Sequence, residues 1–366
     1  MSGLEDGKER AGTVARGRGS GRVGIKDVAA EAGVSWKTVS NVVNGTGRVG
    51  DDTRARVEEV IATLGYRPNL AGRQLRRGRT NTLALAVPWV HSPYFSLLAH
   101  IVIDVAGRRG YRVLIEETRT ERDAELQVAR GFQVHSIDGI IFSPLALGPA
   151  EIAEVRGETP MVLLGERDDP GHDRRWRTDH VSIDNVRAAR EVTEHLLATG
   201  RRLAFVGAES VADRSGTPRL QGFREAHAAR GLDVDPRWIL PVPQFSRPAG
   251  VAAVESVLPR ISEVGGLVCA NDELALGVLH ALRLNGVRVP EDVAVTGWDN
   301  IEDGRFSHPT LTTVAPDLES IAEAAVERVI AQVERRSEGA GSGDVDVVVP
   351  HRLLVRESSR VVPVDD

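Results

Sequence analysis

The stretch "GIKDVAAEAGVSWKTVSNVVNG", residues 24–45, reads as two short helices around a tight turn. Ile25, Val28, Ala29 and Ala32 recur at helical spacing, so one side of the first helix is apolar. Gly33 supplies the left-handed backbone that a sharp inter-helix turn needs, Val34 plugs the space between the helices, and Ser35 caps the second. In that helix Val39, Val42 and Val43 fall at i, i+3 and i+4 and face inward. Trp36, Lys37, Ser40 and Asn41 share the outer face, where a cation, two hydrogen-bonding groups and an aromatic suit base edges and phosphates in a major groove. A third helix is expected over 51–64, with Val57, Val60, Ile61 and Leu64 as its stripe, Asp51 and Asp52 at its positive end and Gly65 as its stop. Three such helices enclose only a marginal core. A plain three-helix interaction module would show the same pattern.

Charge separates the two readings. Residues 1–80 hold 15 Lys and Arg against 9 Asp and Glu, a balance of +6, so the rest of a chain with net charge -6 carries -12. A basic head on an acidic body is what a chain needs if only the head approaches phosphates. The 366 residues are 41% hydrophobic and 27% charged, which fits a globular chain of two or three domains. No apolar run approaches the roughly 18 residues of a membrane span. The opening "MSGLEDGKERAGTVARGRGS" lacks the apolar centre of a signal peptide, so a cytoplasmic location is expected, with no membrane partner. A single cysteine, Cys269, excludes an intrachain disulfide and a multi-Cys metal site, and no cofactor is expected.

After the third helix comes "YRPNLAGRQLRRGRTNT". Pro68 breaks the chain, Asn69 can cap, and residues 70–75 suffice for one and a half helical turns, too few to be stable alone, with Gly72 among them. Leu75 stands among Arg73, Arg76 and Arg77, the composition of an apolar wedge that kinks DNA from the minor groove; a plain linker is the alternative.

These segments resemble a known family. "IKDVAAEAGVSWKTVSNVVNG", "TRARVEEVIATLGYRPN" and "RTNTLALAVP" look like the headpiece, hinge and first core strand of LacI/GalR-type bacterial transcription regulators. The likeness continues through "GYRVLIEE", "DGIIFSP", "VSIDN", "RLQGF", "CANDELALG", "VPEDVAVTGWDN" and "PTLTTV" and covers about residues 24–360. The resemblance implies a homodimer on a pseudo-palindromic double-stranded operator, one headpiece per half-site, paired hinge helices and an effector-binding core. It places Trp36, Lys37 and Asn41 at base-reading positions and Leu75 at the minor-groove leucine. The DNA-contacting set becomes Ser35, Trp36, Lys37, Thr38, Ser40, Asn41, Asn44, Asn69, Gly72 and Leu75. Three departures stand out: Gly50 for the usual hydroxyl cap of the third helix, Gly72 for the usual hinge alanine, and a disordered Arg/Gly-rich arm over residues 1–23.

From residue 82 onward, β-rich runs alternate with helical stretches. Strands are expected near 83–87, 112–116, 139–142, 161–164 and 181–183, then 203–206, 239–242, 266–269 and 293–296. Such alternation argues for an α/β core of parallel sheets covered on both faces. Two sets imply two subdomains, and the resemblance implies the periplasmic-binding-protein type I fold. The expected divisions are a headpiece over 24–67, a hinge over 68–80 and a core over 81–366. Within the core, 81–184 and 315–336 form one subdomain and 185–314 and 340–366 the other.

Ligands in open parallel sheets bind beyond the carboxyl ends of strands. Polar and aromatic residues gather there: Trp89, His91, Tyr94 and Phe95; Glu166 and Arg167; Asp184 and Asn185; Asn271 and Asp272; Trp298 and Asp299. The resemblance adds Arg219 and Phe245 at the cleft floor and mouth. Carboxylates and Arg take paired hydrogen bonds from adjacent hydroxyls while aromatics cover an apolar ring face, which points to a sugar or sugar derivative. A nucleobase between Phe95 and Phe245 is the competing ligand. Helix capping is the alternative role for Asp184, Asn185, Asn271 and Asp272; family position makes Asp272 a ligand contact. His195 and His280 sit inside helical patterns and are read as packing or solvated groups.

An enzyme is disfavoured: "GRGSGRVG" follows no strand and lacks a dinucleotide fingerprint, and no P-loop, G-x-S-x-G or metal-spaced cluster occurs. A solute-binding protein is disfavoured by the headpiece. The reading is a DNA-binding transcription regulator, a repressor, controlled allosterically by a small effector. The tail "VPHRLLVRESSRVVPVDD" reads as a final strand without heptads, so no tetramer is expected.

Overall fold

A computed structural model describes residues 23–66, 79–132, 137–165, 178–207, 217–338 and 345–360. The chain divides into two units at residues 78/79. Residues 1–22 of the arm, Asn69, Gly72, Leu75, Glu166 and Arg167 lie outside the described residues.

The first unit is three helices, α1 (Ile25–Glu31), α2 (Trp36–Asn44) and α3 (Asp51–Leu64). Gly33 takes φ 66° at the turn, which only glycine enters without a steric cost. Ser35 caps α2 by accepting the Thr38 N–H at 3.1 Å. Val28, Ala29, Ala32, Val39, Val42 and Val57 form the core, flanked by Val34, Val43, Val60, Ile61 and Leu64. The apolar spacings read from the sequence are therefore the packing surfaces. Gly50 gives α3 no side-chain cap, and Gly65 ends it in the left-handed conformation.

The second unit holds two six-stranded sheets. The first lobe orders β11-β5-β4-β3-β1-β2, from β1 (Thr82–Val87), β2 (Arg112–Glu117), β3 (Gly139–Phe142), β4 (Met161–Leu164), β5 (Asp179–Ile183) and β11 (Asp346–Val349), every neighbour parallel. The second orders β12-β10-β9-β8-β6-β7, from β6 (Leu203–Gly207), β7 (Ile239–Pro241), β8 (Gly266–Cys269), β9 (Ala294–Trp298), β10 (Thr312–Pro316) and β12 (His351–Leu354), with only β12 antiparallel.

Alternation along β1 shows why the first sheet needs helices on both faces. Ala84 and Ala86 join Ile140, Phe142, Met161 and Leu163 in a cluster closed by α5 (Arg122–Ala129) and α6 (Pro149–Val155). Leu83, Leu85 and Val87 point the other way, into a cluster with Leu98 and Val102 of α4 (Pro93–Arg108) and Val326 and Val329 of α12 (Leu318–Glu338). Each such fully buried Leu or Val contributes about 1.5–3 kcal/mol. The second lobe is covered by α7 (Asn185–Leu197), α8 (Thr217–Ala228), α9 (Arg247–Val257) and α10 (Asp272–Leu284), with the short α11 (Asp303–Phe306) after β9. Cys269, the last residue of β8, is buried.

The expected subdomain boundaries need two corrections. Residues 340–366 do not all belong to the second lobe: β11 pairs with β5, Val347 opposite Val181, and the chain crosses over only at Pro350. A β-branched run satisfies the open edge of β5, and Asp179 secures it, its carboxylate accepting the Val345 N–H at 2.9 Å and the Arg328 Nε–H at 2.8 Å. Strand β10, also unread in the sequence, carries the second lobe through Pro316. Among the described residues no helix is long and apolar enough to cross a membrane.

Asp179 is 2% exposed, so replacing it removes a buried carboxylate that Arg328 and the Val345 N–H share and releases the start of β11. Asp179→Ala is expected to lower the unfolding free energy by about 3 kcal/mol in urea titration. Amide exchange should quicken across 345–349; an unchanged midpoint would refute the clamp.

Candidate nucleic-acid interface and ligand cleft

The outer face of α2 presents Trp36, 51% exposed, and an exposed Lys37, with Ser40 and Asn41 partly buried behind them. Several polar groups on this face are already engaged. The Ser35 and Thr38 hydroxyls pair at 2.9 Å, and Asn44 Nδ2 donates to the Ser40 carbonyl at 2.7 Å and its hydroxyl at 3.1 Å. The sequence placed Trp36, Lys37, Ser40 and Asn41 on one face but did not separate engaged groups from free ones.

In the core, the carboxyl ends of the two sheets converge where Ser92 of the first lobe meets Glu273 of the second, hydroxyl to carboxylate at 3.4 Å. On the first-lobe side Trp89 is half-buried, and Tyr94 and Phe95 meet edge to face with ring centroids 5.0 Å apart. The loop after β3 is shaped from below by Glu125, whose fully buried carboxylate accepts the N–H groups of Leu145, Ala146 and Leu147 at 2.9–3.1 Å. Burial raises the Glu125 pKa, against the lowering effect of those three donors.

The second lobe supplies the cleft floor. Arg219 of α8 lies over the Trp298 ring, its Cζ 4.5 Å from the centroid, and its Nη1 donates to the Ala270 carbonyl. Trp298 is the last residue of β9 rather than the first after it, and is buried. Asp299 follows at φ 106° and Asn300 at φ 53°, two consecutive non-glycine residues in the left-handed region that aim the Asp299 side chain away from the strand direction. The Asp299 N–H is held by the Val314 carbonyl at 2.9 Å, while among the described residues none donates to its carboxylate. Burial holds that carboxyl well above the usual range; Arg219 opposes the rise, and Asp272 and Glu273 reinforce it.

Asp272, expected as a ligand contact, has both carboxylate oxygens engaged within the protein. It is fully buried, accepting the Thr313 hydroxyl at 2.7 Å on one oxygen and the Ile301 N–H at 2.9 Å on the other. Both oxygens tie the start of α10 to β10 and to the loop after β9, so Asp272 positions Asp299 from beneath. Asn271 caps α10, accepting the Leu274 N–H at 2.9 Å, and Asp184 caps α7 through the Arg187 N–H at 2.9 Å. Asn185 is buried and donates to Ile183 O at 3.3 Å, a structural role. Phe245 is half-buried, packed against the core just before Ser246, which caps α9. Of the cleft residues predicted, Asp299, Arg219 and Trp298 form one cluster and Tyr94 and Phe95 an aromatic pair, while Asp184, Asn185, Asn271 and Asp272 lie at helix starts.

Glu273 and Glu125 went unread in the sequence. Glu273 stands next to the cap at Asn271 and Asp272, so it reads as a first-turn acid; its neighbour Arg247, Nε at 3.9 Å, comes from α9. Arg247 in turn reaches Asp303 at 2.8 Å.

Comparison with known proteins bears on both sites. The profile described as "Bacterial regulatory proteins, lacI family" matches residues 24–69, and that of a periplasmic binding protein-like domain matches 193–359. The HTH-type transcriptional regulator CelR of Thermobifida fusca is 32% identical over 91% of this chain and 97% of its own. The HTH-type transcriptional repressor CytR of Escherichia coli K12 is 31% identical over 93% and 97%. The solved complex of regulator CelR with cellobiose superposes with TM-score 0.68, 29% identity and coverage of 92% and 100%.

Burial raises the Asp272 pKa from 3.8 to about 7. The folded protein therefore takes up a proton on this group that the unfolded chain does not hold between those values. Its contribution is fully present below about pH 4 and is lost as pH rises through about 7. Relative to Asp272→Asn, the wild type should lose stability over that interval in denaturant titrations at matched pH; parallel curves would exclude the titration.

Proposed function

The chain belongs to the LacI family of bacterial regulatory proteins, a DNA-binding transcriptional regulator, and we propose that it is a homodimeric repressor whose operator affinity is set by a sugar held between the core lobes. The observation that carries the ligand class is the Asp299 carboxylate, which accepts no hydrogen bond among the described residues, beside an Arg219 guanidinium stacked on Trp298. A carboxylate and a guanidinium pair with vicinal hydroxyls, and the aromatic edges of Trp89 and Phe95 cover a pyranose face. The relative solved with cellobiose supports the same class. A flat nucleobase is less well served, because Phe95 is already paired edge to face with Tyr94.

Two copies account for apolar groups left uncovered: Leu97, Ile103, Leu114 and Ile115 on the first lobe and Phe306, 80% exposed, on the second. Phe306 borders a cavity of about 700 Å³ with Val251 and Leu276, a recess for a partner's side chains. Sugar binding favours one angle between the lobes; the dimer passes that angle to the segment over 68–80, and operator affinity falls. The protein acts in the cytoplasm on double-stranded DNA, and no turnover of the sugar is expected.

Selection from a random duplex library with the full chain should yield a two-fold symmetric site, bound with an affinity that drops steeply between about 50 and 200 mM salt. Failure to enrich any sequence would end the DNA-binding reading. In a thermal-shift screen, cellobiose and related sugars should raise the melting temperature of the wild type and leave Asp299→Ala unmoved. An equal shift in both proteins would remove Asp299 from the site, and a shift given only by nucleobases would replace the ligand class.

A further inference from the structure

The free hydrogen-bonding groups on the outer face of α2 are fewer than the sequence displays. With Ser35 and Thr38 paired and Asn44 folded onto Ser40, Lys37 and Asn41 are the polar side chains of this face with no hydrogen bond among the described residues, beside the exposed Trp36. Among the described residues the Asn41 side chain makes no hydrogen bond. After α2 the Gly45 cap and the Thr46 N–H, donating to the Asn41 carbonyl at 3.0 Å, turn the chain back past the Asn41 amide. Gly47 lies against that amide: a Cβ there would come within 2.8 Å of Asn41 Nδ2 and 3.2 Å of its Cγ. Gly47 also holds φ 73°, a conformation side-chain-bearing residues rarely take.

We propose that Gly47 positions Asn41, and that Asn41 so placed reads an adenine in each half-site, accepting from N6–H and donating to N7. This rests on the DNA-binding reading above and adds the base and the residue that sets it. The chemistry follows from the amide: one acceptor beside one donor matches the major-groove edge of adenine and of no other base. A methyl group at position 47 would displace the amide from that line.

The test is selection and binding with the full-length wild type, Asn41→Ala, Gly47→Ala and the double variant. Wild type should select a motif with a fixed adenine in each half-site, and changing that adenine should weaken binding about 5- to 100-fold. Asn41→Ala should keep the rest of the motif and lose the preference to within about 2-fold. Gly47→Ala should lose the same preference, and the double variant should be no worse than Asn41→Ala. Because Gly47→Ala is also strained at φ 73°, its binding is read at a temperature where its melting curve shows it folded. An unchanged motif in Asn41→Ala, or a retained adenine in folded Gly47→Ala, would each overturn the inference. A wild type that enriches no sequence would overturn the DNA-binding reading beneath it.

Discussion

Three passages of the chain between the core lobes govern everything else in the second unit. They lie after β5, after β10 and between β11 and β12, and the Asp317 N–H on the Pro350 carbonyl, 3.1 Å, ties two of them side by side. Because the passages are adjacent, the lobes have a hinge and not a free joint. Parallel strands then bring the carboxyl ends of both sheets to the same opening, and polar loop residues that would otherwise be scattered over the surface converge there.

The cleft divides its carboxylates by task. Asp272 and Asp299 stand at the ends of neighbouring strands with the same side chain. Asp272 spends both oxygens on Thr313 and Ile301, whereas the backbone of Asp299 is turned out at φ 106° and leaves its carboxylate available. Glu273 reaches across to Ser92 and back to Arg247, so the second lobe meets the first through a group that also touches the side bearing Asp303 and Phe306. The two lobes and the outer surface thus share a short chain of polar contacts.

How far the sequence reveals this follows from how local each signal is. The headpiece was legible almost to the residue because Val28, Val39, Val42 and Val57 obey a period that depends only on neighbours along the helix. Most core strands were legible for the same reason. Strand β11 was not, since its partner β5 lies more than 160 positions earlier and no local pattern encodes the pairing. Telling Asp299 from Asp272 needed a backbone dihedral and two hydrogen-bond partners, neither of which is written in an "ND" or "WDN" motif. Glu125 and Gly47 were hidden likewise: each matters through what lies over it.

Cys269 ends β8 in the interior of the second lobe, and burial pushes its thiol pKa up, away from the reactive thiolate. A maleimide or disulfide reagent reaches that sulfur only when the sheet around it parts. The chain thus carries its own chemical clock: with one thiol in 366 residues, the rate of labelling counts the openings of a single lobe, undiluted by any other site.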